Sequence, residues 1–82
     1  MEKKIWMLRE IARLCQTRGE IDGALLAPAL NCTPAQAQSA IESLEAEGLV
    51  FTVEYGFSCS VEIMAEGLTP KGEALLRAQG MI

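Results

Sequence analysis

The sequence predicts an α+β fold that is mainly α: three helices, a two-stranded hairpin and a closing helix, in one domain over residues 1–82. Three observations predict it. Apolar residues recur at steps of three and four near the N-terminus and at steps of two between Phe51 and Ile63. The pair threonine then proline, a helix-opening signal, occurs at Thr33–Pro34 and again at Thr69–Pro70. Glycines at Gly19, Gly48 and Gly80 fall where the helical periods stop.

Ile5, Leu8, Ile11, Ala12 and Cys15 lie on one stripe of a helix from about residue 3 to 17. Trp6 and Met7 fall beside the stripe and are expected to cover the core edge. Asp22 can cap a short second helix over about 23–30, with Leu25, Leu26 and Leu30 turned inward. Pro28 removes a backbone donor there, so that helix either starts late or kinks. Thr33, Pro34 and Gln36 form a capping box with proline at the first helical position, and open a third helix. Its buried side is Ala37, Ala40, Ile41 and Leu44.

Beyond Gly48, Phe51, Val53 and Tyr55 alternate with Thr52 and Glu54, and Cys59, Val61 and Ile63 alternate with Ser60 and Glu62. Gly56, Phe57 and Ser58 between them predict a tight turn and hence a hairpin, which needs the helices to be stable. Thr69 and Pro70 open the last helix, which carries Leu75 and Leu76 and runs to about Gln79.

Charge is segregated along the chain. Residues 1–18 carry +3, residues 19–70 carry −8 and residues 71–82 carry +1, for a net −4. Between Arg18 and Lys71 there are eight acidic residues and no lysine or arginine. Half the residues are apolar, and a chain this short hides only about 60% of its unfolded surface, so a dimer or partner interface is expected.

Several function classes are disfavoured. The three cysteines, Cys15, Cys32 and Cys59, are widely spaced and no histidine is present, so neither a metal centre nor a disulfide framework is expected. With no Gly-rich phosphate loop and no histidine base, the chain is not expected to be an enzyme or to hold a cofactor. Arg9, Glu10 and Arg13 interrupt the opening apolar segment, which therefore reads as a helix rather than an export signal. No apolar run spans the roughly 20 residues a membrane helix needs, and a cytoplasmic location is expected.

The stretches LLAPALNCTPAQAQSAIESLEAEGLV, VFTVEYGFSCSVEIM and LTPKGEALL together resemble the small prokaryotic winged helix-turn-helix transcriptional regulators, over about residues 8–76. The resemblance implies that the helix opening at Thr33 enters the DNA major groove while the hairpin tip touches the backbone. By position, Ala35, Gln36, Gln38, Ser39, Glu42 and Ser43 would face the groove, and Tyr55, Phe57 and Ser58 would form the wing tip. Gln38 has the amide that can bond adenine edges. Lys3, Lys4 and Lys71 are the cations expected to reach phosphate, and Trp6, Leu76, Met81 and Ile82 are expected at a dimer contact.

The acidic middle of the chain opposes that implication, because phosphate neutralisation supplies most non-specific DNA affinity. Two functions are therefore expected in order: a small transcriptional regulator binding duplex DNA as a homodimer or with a partner, and, as the alternative, an acidic-faced winged helix that docks a basic protein without touching DNA.

Overall fold

The computed structural model describes residues 3–57 and 60–80. It is α+β and mainly α, ordered α1 (Lys3–Arg18), α2 (Gly23–Leu30), α3 (Pro34–Ala46), β1 (Val50–Phe57), β2 (Ser60–Leu68) and α4 (Pro70–Ala78). Among the described residues, no helix is long and apolar enough to cross a membrane.

α1 forms where its stripe requires, with Ile5, Leu8 and Ile11 fully covered. The same helix buries Glu10, only 8% exposed. A buried carboxylate must be paired, and two neighbours on the helix do this. Arg13 Nε donates to Glu10 Oε2 at 2.8 Å and Arg9 Nη2 to Oε1 at 3.5 Å.

α1 stops at Gly19, whose N–H bonds Cys15 O at 2.8 Å. The link to α2 then contributes to the sheet. Ile21 and Ala65 form an isolated antiparallel bridge, each donating its N–H to the other's carbonyl, at 2.9 and 2.7 Å. Ile21 is completely buried.

Asp22 Oδ1 accepts the Leu25 N–H at 2.9 Å and α2 begins at once, so of the two outcomes expected from Pro28, a late start or a kink, the late start does not occur. The helix instead runs through Pro28 and ends on Asn31 in the left-handed region, φ 55°. Leu26, Ala27 and Leu30 face the core. Leu25, expected inward, is 37% exposed, because helical spacing groups it with the exposed Ala24 and Pro28.

Thr33 and Gln36 close the capping box of α3, with both reciprocal bonds at 3.1 Å. Ala37, Ile41 and Leu44 are buried against the rest of the core, while Ala40 is half-buried. Gly48 turns the chain with φ 75°, which a residue with a Cβ adopts reluctantly.

β1 and β2 pair antiparallel from Val50↔Leu68 to Phe57↔Ser60. Both strands exceed the expected lengths: Gly56 and Phe57, expected in the turn, belong to β1, and β2 continues to Leu68. The register shifts between Phe51 and Thr52, which leaves Glu66 as the extra residue on β2 while β1 stays regular. The core side of the sheet is supplied by Val50, Ala65 and Ile21. Phe51 and Tyr55 instead point to solvent, 53% and 39% exposed.

α4 opens with Thr69 Oγ1 accepting the Gly72 N–H at 3.1 Å, and the same hydroxyl donates to Gly48 O at 2.6 Å. Leu76 is completely buried in the shared core. It faces into its own molecule and is therefore not a dimer contact, contrary to expectation.

Candidate interaction surface of α3 and the hairpin

α3 enters the core through Ala37, Ile41 and Leu44, borders a groove shared with Lys3 and Met7 of α1, and meets the hairpin through Gln38. Of the residues expected to face a partner, Ala35, Gln36, Ser39, Glu42 and Ser43 are exposed. Gln36 holds its place by accepting the Thr33 N–H.

Gln38 behaves differently. Its Oε1 accepts the Gly23 N–H at 2.9 Å and its Nε2 donates to Ile63 O at 2.9 Å. The side chain is half-buried and both ends of its amide are used inside the protein. Gln38 therefore bridges the start of α2 to the hairpin instead of presenting its amide outward. A lone glutamine at this spacing looks the same in the sequence whether it reads a partner or ties two elements together.

The expected phosphate-contacting lysines divide. Lys3 is exposed beside α3. Lys4 Nζ pairs with Glu47 Oε1 at 2.7 Å, and Lys71 Nζ donates to the Glu47 carbonyl at 3.1 Å. Both cations thus converge on the C-terminal end of α3, where the helix dipole favours positive charge. Between α1 and α3 lies an open groove of about 670 Å³, whose walls include Lys3, Met7, Cys32, Ser39, Ala40 and Ser43.

On the hairpin, Tyr55 Oη donates to Glu20 Oε2 at 2.6 Å, reaching across the sheet to the α1–α2 link. That bond, to a carboxylate that needs the phenolic proton, holds the Tyr55 phenol above its ordinary range. Phe57 occupies the last position of β1, opposite Ser60. Ser58, Met81 and Ile82, expected at the tip and the dimer contact, lie outside the described residues. Trp6 is half-buried against the core edge, as its place beside the α1 stripe requires.

Cys15 is half-buried, its Sγ 3.5 Å from Ala65 O. Burial, with the Glu66 carboxylate nearby, pushes this thiol up to about 11. Alkylation of Cys15 at pH 8, mapped by peptide mass spectrometry, is expected to be on the order of a hundredfold slower than for an ordinary thiol, because the thiolate is the reactive form. The folded state keeps this proton longer than the unfolded state. Stability from this group is therefore present below about pH 9 and is lost as the pH rises towards about 11.

No protein-family model, no curated protein and no solved structure matches the chain.

Proposed function

We propose that the chain is a non-enzymatic winged helix-turn-helix regulatory module whose α3 surface docks a basic protein partner rather than reading DNA. One observation carries this reading: the side chain best suited to base contact, Gln38, spends its amide on Gly23 and Ile63. What α3 leaves outward includes Ala35, Gln36, Ser39, Glu42, Ser43 and Glu45, without a cation. A surface of hydroxyls, amides and carboxylates repels phosphate and complements lysine and arginine. The order of α2, α3, hairpin and α4 supports the winged-helix reading, and the absence of a histidine base or phosphate loop supports a non-catalytic one.

The DNA-reading regulator, acting as a homodimer, is the competing function and one titration separates the two. Labelled random duplex is added at roughly 50 and 200 mM salt, where a module with several phosphate contacts changes affinity by orders of magnitude. The expected result is no saturable binding at either salt. Saturable binding at the lower salt that weakens steeply at the higher one would return the function to DNA. In the companion measurement, Glu42→Lys combined with Glu45→Lys is expected to lose whatever basic protein the unaltered chain retains, while Glu73→Lys on α4 retains it.

A further inference from the structure

The open edge of the hairpin carries a second inference, independent of what α3 binds. β2 has neighbours on both sides, β1 and the Ile21 bridge. β1 has one. Among the described residues, its outer edge has no backbone partner.

The bridge also decides which groups face that edge. Ala65 exchanges both of its backbone hydrogen bonds with Ile21, so its N–H and C=O point away from β1. Its register partner Thr52 must then be in a non-hydrogen-bonded pair, with N–H and C=O aimed outward. By strand alternation Glu54 presents the same outward pair.

Edge strands are normally protected by lysine, proline, a bulge or short length. β1 has none of these protections. It is eight residues long, VFTVEYGF, has Glu54 as its one charge, and leaves the bulge on β2. Phe51 and Tyr55, two of its aromatic residues, are exposed, on the same face as the half-buried Val53.

We propose that β1 pairs antiparallel with β1 of a second copy of this chain, about a two-fold axis at Val53. This register is self-complementary. Thr52 faces Glu54 of the second copy as a hydrogen-bonded pair, using the outward groups of both. Phe51 faces Tyr55 of the second copy as a close, non-hydrogen-bonded pair, the arrangement in which aromatic side chains meet across strands.

The alternatives fit less well. An axis at Glu54 sets the two carboxylates directly against each other. Axes at Thr52 or Tyr55 shorten the ladder, because β1 runs only from Val50 to Phe57. An axis between two residues sets outward groups against inward ones. The product is a four-stranded sheet with β2 at each end, and it covers apolar surface that the small core leaves exposed.

Sedimentation equilibrium at roughly 10 to 100 µM, which populates a dimer with a dissociation constant of about 1 µM, tests the proposal. The unaltered chain is expected to sediment as a dimer, and Phe51→Lys and Tyr55→Glu, each alone, as folded monomers. Combined in one chain, the two substitutions place opposite charges across the axis and are expected to restore the dimer.

In the unaltered protein, the Thr52 and Glu54 amides are expected to gain protection from hydrogen exchange as concentration rises. That measurement decides the matter if a variant fails to fold. A monomer at 100 µM, a dimer indifferent to both single substitutions, a double variant that stays monomeric, or unprotected Thr52 and Glu54 amides would overturn the proposal. The first of these results is also the outcome expected if the edge receives an unrelated extended peptide.

Discussion

Gly72→Ala is expected to lower stability by roughly 3 kcal/mol, the upper end of the overpacking range, although alanine is the better helix former by about 1 kcal/mol. Gly72 lies in the first turn of α4, directly against the backbone of Leu49. An added Cβ would overlap Leu49 O and sit 3.1 Å from its carbonyl carbon. Neither atom can move freely, because Leu49 O accepts the Thr69 N–H at 3.1 Å and the Leu49 side chain is buried. Relief would have to come from lifting α4, which carries the buried Leu76. Urea unfolding with an unchanged slope measures the loss as a shift in midpoint. A midpoint equal to or above that of the unaltered chain would show that α4 can move away from Leu49 at little cost.

Gln38→Leu is the second large effect, with an expected loss of about 2 to 4 kcal/mol. The substitution leaves a side chain of comparable bulk, one atom shorter, but removes the acceptor for the Gly23 N–H and the donor to Ile63 O together. Two partly buried backbone groups then lose partners, and each uncompensated group costs about 1 to 3 kcal/mol. The same midpoint measurement applies. A Gln38 variant with unaltered stability but changed nucleic-acid selection would contradict the internal role and revive the groove-facing one.

The elements legible in the sequence are those that local chemistry encodes. Thr33, Pro34 and Gln36 needed only one another to open α3, and Asp22 and Thr69 capped their helices in the same local way. The α1 stripe was legible because three- and four-residue steps map onto one side of a helix whatever that side meets.

What escaped the sequence depends on partners remote in the chain. Ile21 forms a bridge of one residue, too short to show any period, and it exists because Ala65 arrives beside it. Gln38 meets Gly23 and Ile63, one before and one after it in the chain, and no spacing rule links the three. Glu10 showed in the sequence only as a charge interrupting an apolar segment, yet it is buried and paired with Arg9 and Arg13. Phe51 and Tyr55 alternate correctly for a strand, but alternation says only that they share a face, and here the buried positions Val50 and Ala65 lie on the other one.

The candidate surface was legible in the same proportion. Position along α3 identified its outward residues, apart from the one whose side chain turned back into the fold. The charge pattern identified its sign, but it gave no sign that Lys4 and Lys71 converge on Glu47.

The hairpin is fastened to α3 and the α1–α2 link at separate points: Ile21 through its bridge to Ala65, Gln38 through Ile63, and Glu20 through the Tyr55 hydroxyl. Such a triply moored arm has little freedom left to surrender when a partner arrives, so the ordering entropy that penalises association is largely met during folding. Any partner of the moored part of the hairpin would meet a preorganised surface.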